Sequence, residues 1–585
     1  MKMRLIEKIF VLLLCCHVAA FGQQRDSRVR EYLTPTRIVW QKGDSLINLS
    51  KLLQKGNGQS VTNADSLCII KSTNTDHPAI LLDFGKEIQG GLQIVTGPTA
   101  SKAPITLRVR FGESASEAMS EIDTIGGATN DHALRDYLVQ VPWLGVAETG
   151  NSGFRFVRID IVSDPAVLLL KEIRAISIFR DIPELGSFRC NDELLNRIWQ
   201  VGKETVHLNM QEYLWDGIKR DRLVWIGDMY PELMTIQSVY GYNEVLPKSI
   251  DLARDLFPVP QWINGISSYS LWWLIIQHEY YNFYGDKNYL RQQLPYLQGL
   301  LRLIISKVDK KGMEQLDGMR FLDWPSSESP EAIHAGLQSL TMIALKRGSE
   351  LCKILGDEPL ASSCDSTYQK MLKAKPSLLK TFDKAKLSPT APGTKQAASL
   401  LSLSGLMPAK EANEKYISVD SVQCFSTYFG YYMLRAMAEA GDYQNALNDI
   451  RTYWGAMLDL GATTFWEDFN INWMNNAARI DELVPAGKVD VHKTYGGYCY
   501  MKFRHSLCHG WASGPTAWMS RYVLGIEIAE PGCKAVRIVP HLGDLQWAEG
   551  SFPTPYGVIK VRHTKKSDGT IDTELSCPKE ITVIK

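Results

Sequence analysis

Residues 215–232 read Trp-Asp-Gly-Ile-Lys-Arg-Asp-Arg-Leu-Val-Trp-Ile-Gly-Asp-Met-Tyr-Pro-Glu, and the whole chain is best read outward from this stretch. It sets four carboxylates (Asp216, Asp221, Asp228, Glu232), three basic residues (Lys219, Arg220, Arg222) and two tryptophans (Trp215, Trp225) within 18 positions. A solvated helix face carries charges of both signs, but not ordinarily two indoles among them. Acids and arginine beside flat rings suit a sugar: polar groups bond the hydroxyls while an indole covers the apolar face of the ring. The competing reading is a helix-cap and ion-pair cluster, and for Arg222 it is the preferred one.

On either side of this stretch the hydrophobic period is helical. Asn191 and Asp192 offer caps, after which Leu194, Ile198, Val201, Thr205 and Leu208 fall on one face. Similar patterns continue to about residue 520. Gly-Asp recurs at 285–286, 356–357 and 441–442, each time between two periodic segments. Gly ends one helix in the left-handed conformation and Asp caps the next, so these are helix-hairpin hinges. Their uneven spacing excludes a short solenoid repeat. Hairpins over such a length fit a closed double ring of helices, with a generic helical bundle as the alternative.

Upstream the period is two. Residues 79–84, 92–95, 105–111 and 154–161 are short apolar or alternating runs between Gly, Pro and Asn turns, which predicts an antiparallel β-sandwich. Downstream of about 525 the period of two returns at 535–539 and 557–562, with a Ser-Asp-Gly turn at 567–569, and predicts a small β-domain.

Length and composition bound the rest. A chain of 585 residues exceeds one core and predicts roughly three or four domains. Lys+Arg and Asp+Glu are both 64, and this zero net charge leaves no footprint for nucleic acid or an anionic membrane. Lys2, Arg4 and Lys8 precede a short apolar run from Ile9 to Cys16, and Ala20-Phe-Gly22 supplies small residues before Gln23. That pattern predicts a signal peptide over 1–22 and a periplasmic or secreted product, against the alternative of a buried N-terminal helix. Nine cysteines follow, scattered and without Cys-x-x-Cys spacing, so neither a zinc site nor a disulfide framework is expected. No phosphate-cradling glycine loop precedes a helix, Gly-x-Ser-x-Gly is absent, and no cofactor or metal is implied.

The run Asp216-x-x-x-Arg220-Asp221-Arg222-Leu223-x-Trp225-x-Gly227-Asp228 resembles the signature of bacterial α-L-rhamnosidases, a glycoside hydrolase family 78-like group of inverting glycosidases. Gly461-Ala-Thr-Thr-Phe-Trp466-Glu467 resembles a second segment of that family, and Asp83 to Gly91 resembles the opening of its N-terminal β-sandwich. The resemblance implies a multidomain α+β chain: an (α/α)6 barrel over 183–523, flanked by an N-terminal β-sandwich over 23–182 and a C-terminal β-domain over 524–585.

Glycoside cleavage needs a proton donor for the leaving oxygen and a carboxylate on the opposite face. By resemblance Asp221 stands at the acid position, where the family commonly has Glu, and Glu467 at the base. The shorter Asp leaves three readings open: a closer backbone, an acid role moved to Asp228 or Glu232, or an altered activity. An inverting pair would be separated by roughly 6.5–9.5 Å. Asp216, Arg220, Trp225 and Asp228 match positions that hold the sugar. Trp324, in an Asp323-Trp324 pair, is expected as a pocket wall, and Trp466, beside the base, as a substrate-binding residue. Trp273 is expected as a subsite wall, although Trp272 competes for that role. His509, in Ser506-Leu-Cys-His509, is expected to bond a hydroxyl, with a core histidine as the alternative. His505 is read as structural. The implied activity is removal of terminal α-L-rhamnose from a glycan or glycoside. A barrel for another sugar such as α-L-fucose, a lyase of the same shape, and a non-catalytic glycan binder are the alternatives.

Overall fold

The computed structural model describes residues 26–99, 104–121, 135–385, 387–498 and 501–584. The expected signal segment and Cys499 lie outside them. The eight cysteines described are all free thiols, six of them buried. No helix among the described residues is long and apolar enough to cross a membrane.

The helical domain is a closed ring. Its inner helices are Met229–Val239, Ser267–Tyr284, Pro330–Leu355, Thr394–Leu403, Gly430–Glu439 and Gly514–Trp518. Each packs on the next, and the last packs on the first. An outer helix precedes each inner one, as Val245–Leu256 precedes Ser267–Tyr284, so the unit is six helical hairpins. The sequence explains the division. Every residue of Met229–Val239 except Met234 is buried, Glu232, Thr235, Gln237 and Ser238 included, as in a helix enclosed on all sides. Val245–Leu256 buries only Val245, Leu246, Ser249, Ile250 and Ala253, a single stripe.

Gly285 and Gly356 end their helices in the left-handed conformation. The Asp286 side chain accepts from Asn288 N and Tyr289 N, and Asp357 from Leu360 N, as the Gly-Asp hinges require. The third hinge differs. Gly441 is left-handed, but Asp442 makes no side-chain cap; its carboxylate instead accepts from Asn413 Nδ2 at 2.8 Å and Ser418 Oγ at 3.2 Å, tying two outer segments together.

The N-terminal domain is one continuous nine-stranded antiparallel sheet. The runs at 79–84 and 92–95 belong to a single strand, Ala79–Thr96, whose pairing with Gly145–Ile161 shifts register twice. Ala79–Thr96 pairs with three partners, so the sheet branches around a core that includes Phe84, Phe111 and Phe154. The C-terminal β-domain has a four-stranded and a three-stranded sheet. Its four-stranded sheet takes an edge from elsewhere: Ser187–Cys190, which precedes the first barrel helix, pairs with Trp547–Thr554. Four residues carry too short an alternation to announce that pairing.

The sheet domain grips the loops at one end of the ring. Glu87 N donates to Thr463 Oγ1 at 3.0 Å, Arg155 Nη1 to Gly461 O at 3.0 Å, and Ala115 N to Ile480 O at 2.9 Å. Arg155 is itself held by both oxygens of buried Asp83 at 2.8 and 3.0 Å.

The first barrel helix is tied at its start by Asp192, which accepts from Leu194 N and Leu195 N and pairs with Arg451 at 2.7 Å. Asp192→Ala is expected to destabilise the barrel by about 1–2 kcal/mol, the usual worth of such a cap, read as a lower urea midpoint.

Candidate functional site

A cavity of about 150 Å³ opens among the loops that precede the inner helices. Its acids are Asp216, Asp221, Asp228 and Glu467; Arg220 and His509 stand beside them, and Trp225, Tyr269, Phe321, Trp324 and Trp511 supply rings. Five of the six residues come from two distant segments, which pair directly. Gly217 and His509 form an isolated β-bridge, and Gly510 N donates to Asp216 O at 2.9 Å. Glu467 N donates to Ser506 O at 3.0 Å, so a third loop joins the same backbone lattice.

Arg220 is the centre of charge. Its Nη1 donates to Asp221 Oδ1 at 3.0 Å, its Nη2 bonds Glu467 Oε1, and its Nε donates to Arg504 O at 2.7 Å. Asp221 is the most open of the acids, its side chain 15% exposed against 4% for Glu467 and 3% for Asp228. It sits at the cavity rim and the others sit deeper. Asp221 and Arg222 both hold positive φ, 55° and 52°. Aspartate tolerates that left-handed conformation better than most residues, which suits the short acid to this turn.

The deep floor is a hydrogen-bonded set. Asp228 accepts from Tyr269 OH at 3.1 Å, and its other oxygen lies 3.1 Å from His509 Nε2. Asp216 accepts from Leu223 N at 3.0 Å. Burial pushes the Asp228 carboxyl up against the opposing pull of His509. Burial pushes Asp216 well up too, against the pull of His509 and with the repulsion of Asp221 and Asp228. Glu467 goes the other way. Burial alone would raise it, but Arg220 and then His509 hold its carboxyl below the ordinary range, and Ser506 N donates to it at 3.1 Å. His509 is raised, since Glu467 and Asp228 outweigh its burial. The site thus holds one carboxyl below the ordinary range beside two that burial pushes above it.

Not every expected residue lines this cavity. Trp273 is fully buried between helices: its Nε1 donates to Ile250 O at 3.2 Å and its ring packs on Tyr296, because it faces outward from an inner helix. Trp272 stacks on Tyr432 inside the ring. Trp466 is 1% exposed and packs edge-on against Phe469, since it follows the backbone to the opposite side from Glu467. Glu232 is buried beneath Gly510, where an added Cβ would lie 1.6 Å from its Oε1. Arg222 leaves the site and donates to Asn151 O of the sheet domain at 2.9 Å. His505 accepts from Asp468 N at 3.0 Å, a backbone support. Trp324 stacks on Tyr498 at 5.9 Å.

Sequence reasoning missed Tyr269, Phe321 and Trp511. Trp511 stacks on Tyr428 at 4.7 Å and its Nε1 donates to Glu467 O at 3.0 Å. Its place two residues after His509 was the one signal available. Among the described residues, Glu113, Glu117 and His492 have the geometry to hold a metal ion, but the Lys219 ammonium already stands there, 3.0 Å from Glu113 and 3.2 Å from Glu117.

The comparisons with known proteins agree with this architecture. A ring of six helical hairpins with an acidic, aromatic-walled cavity at one end defines the six-hairpin glycosidase class. Residues 183–523 match the bacterial alpha-L-rhamnosidase 6 hairpin glycosidase domain, 525–584 the bacterial alpha-L-rhamnosidase C-terminal domain, and 46–169 the glycosyl hydrolase family 78 alpha-rhamnosidase N-terminal domain. The chain belongs to this bacterial α-L-rhamnosidase family. It is 26% identical over 566 residues to an alpha-L-rhamnosidase of Alteromonas sp. (strain LOR), covering 89% of this chain and 57% of the relative. A family 78 rhamnosidase of Bacillus sp. GL1 superposes with a TM-score of 0.72 at 20% identity, over 91% of this chain and 55% of the other. A Klebsiella oxytoca rhamnosidase solved with rhamnose bound gives 0.62 at 20% identity, over 85% of this chain and 96% of its own. The chain thus spans little more than half the length of the Alteromonas and Bacillus proteins.

One carboxyl beside the site reports on its burial. Asp468 is pushed up to about 7 from an ordinary 3.8, by burial first and then by repulsion from Asp323 and Glu467. A raised acid favours the folded state when protonated. Its stabilisation is therefore intact below pH 3.8 and lost as pH rises through about 7. Asp468→Asn is expected to raise the unfolding temperature more at pH 8 than at pH 5, by a few degrees.

Proposed function

We propose that the chain is an inverting exo-glycosidase that hydrolyses terminal α-L-rhamnosyl residues from glycans or glycosides. The observation that carries this reading is the arrangement of the acids: an ionised, buried Glu467 and a rim-exposed Asp221 on one guanidinium, above a floor of Asp216, Asp228 and His509. The cavity is small and walled by rings, which suits one terminal sugar. A deoxy sugar presents a methyl group that indole and phenyl faces cover, while its hydroxyls meet Asp216, Asp228, Arg220 and His509. Family membership supports rhamnose as that sugar, as does the rhamnose bound in the Klebsiella oxytoca relative.

In this mechanism the leaving group points to solvent, so the acid belongs at the rim, where Asp221 is. Protonated Asp221 gives its proton to the glycosidic oxygen as the C1–O bond breaks. Glu467 takes a proton from the water whose oxygen bonds C1 on the opposite face, and the anomeric configuration inverts. Both carboxyls then return to their starting states by exchange with solvent. Arg220 holds Glu467 in its ionised form. Trp225 and Trp324 hold the ring. The N-terminal segment supports export to the periplasm or medium, which a mature N-terminus at Gln23 would verify.

Proton NMR of the first-formed sugar should show the β-anomer from an aryl α-L-rhamnoside; retention sinks the mechanism, and no turnover of any α-L-rhamnoside sinks the substrate. Asp221→Asn and Glu467→Gln should each lower kcat by about 10²–10⁴-fold on an alkyl glycoside. Asp221→Asn alone should recover on substrates whose phenolate leaves unassisted.

The pH profile offers a separate check. Glu467 is held below its ordinary 4.5, so the acid limb of kcat/KM should lie below pH 4.5. Arg220→Gln removes the largest cause of that lowering and should move the limb up by about one unit or more.

A further inference from the structure

Lys219 immediately precedes Arg220 and Asp221, and it is fully buried. Its ammonium donates to Phe503 O at 2.7 Å and His505 O at 2.6 Å, lies 3.0 Å from Glu113 Oε2, and donates to Glu117 Oε1 at 3.2 Å. Glu117 lies on the short helix Ala115–Met119 of the sheet domain, and Glu113 just before it. Neither acid is incidental to the fold. Glu113 Oε2 also accepts from Leu507 N at 2.7 Å, and Glu117 Oε2 from Glu113 N at 2.7 Å. Carbonyls 503 and 505 belong to the segment that donates Ser506 N to Glu467. One ammonium therefore joins the sheet domain, the Glu467 support and the turn that carries Asp221.

That turn needs holding. Residues Arg220 to Val224 lie in no helix or strand, and consecutive Asp221 and Arg222 sit in the left-handed region. A bulky residue such as Arg222 stays there only when its surroundings over-determine it. The surroundings are the sheet domain: Gly153 N donates to Ile218 O at 3.0 Å, and Arg222 bonds Asn151 O. At Gly153 an added Cβ would lie 2.8 Å from Lys219 N, so the two backbones are in contact. From the barrel the turn is held by the Arg220 side chain, the Asp216–Leu223 pair and Asn264 Nδ2, which donates to Val224 O at 3.1 Å.

We propose that Lys219 is a positioning residue for the proton donor: its ammonium, held by Glu113 and Glu117, lets the sheet domain fix where Asp221 stands relative to Glu467. This rests on the reading of Asp221 as the acid. A misplaced acid matters only when the leaving group needs its proton. Loss of a merely structural cation would lower the folded fraction and slow all substrates alike.

The test uses the full chain with Lys219→Met, and with Lys219→Met/Glu113→Gln, which removes one of the two carboxylates left facing the site. On an alkyl α-L-rhamnoside kcat should fall about tenfold or more, within the range that loss of a general acid gives. On a nitrophenyl rhamnoside kcat should stay within about threefold, and KM on both within about twofold. Hydrogen exchange should accelerate in peptides covering 216–224 and stay unchanged in 229–239. Equal losses on the two glycosides, or unchanged rates on both, overturn the proposal. If the unmutated chain hydrolyses neither glycoside, the functional reading has failed instead. Exchange then decides this inference alone, and unchanged protection at 216–224 overturns it.

Discussion

The site depends on one buried guanidinium. Arg220 has a side chain only 4% exposed, yet it meets two carboxylates that belong to segments far apart in the chain. A buried cation without partners would be heavily penalised, and so would either acid. Together they satisfy one another, and the contact sets two opposed loops at a common point. The carbonyl of Arg504 takes the remaining Nε–H, so the fork cannot rotate without losing a third bond. The rest of the cavity is arranged around this fixed charge.

From that centre the electrostatics follow by depth. Glu467 gains more from Arg220 than it loses to burial, and stays ionised. Asp228 lies deeper, bonded by Tyr269 and His509, and burial dominates. Asp216, buried beside two other acids, is pushed further in the same direction. Glu467, Asp228 and Asp216 are thus shifted differently according to their distance from a cation and from water. Their side chains are nearly alike; their environments differ.

The ring of helices builds the cavity walls but does not finish it. The loops at its open end are long, and several lack regular structure. They are held by a sheet domain whose own buried ion pairs, Arg155 with Asp83 and Arg135 with Glu117, face the barrel. Each pair also reaches the barrel: Arg155 Nη1 donates to Gly461 O at 3.0 Å, and Glu117 Oε1 accepts from Lys219 Nζ at 3.2 Å. The C-terminal β-domain is tied differently, by taking an edge strand from the segment that leads into the first barrel helix.

Much of this was legible in the chain itself. The shift from a period of two to 3.6 and back marked three regions, because burial on one face writes its repeat directly into the sequence. The Gly-Asp hinges at 285–286 and 356–357 were legible for the same local reason. The acids were legible too: Asp216, Asp221, Asp228 and Glu467 stand in motifs, and the fold brings them to one cavity. What only the tertiary structure decided was direction. Trp273 and Trp466 have the right type and neighbourhood for a sugar site, but their side chains leave the backbone toward the core. Tyr269, Phe321 and Trp511 enter the cavity from positions with no comparable signal. Asp442 had the sequence of a cap and took a partner from another segment. Composition and period are properties of neighbours along the chain, whereas the face a side chain presents in a closed ring is set by packing between helices far apart in it.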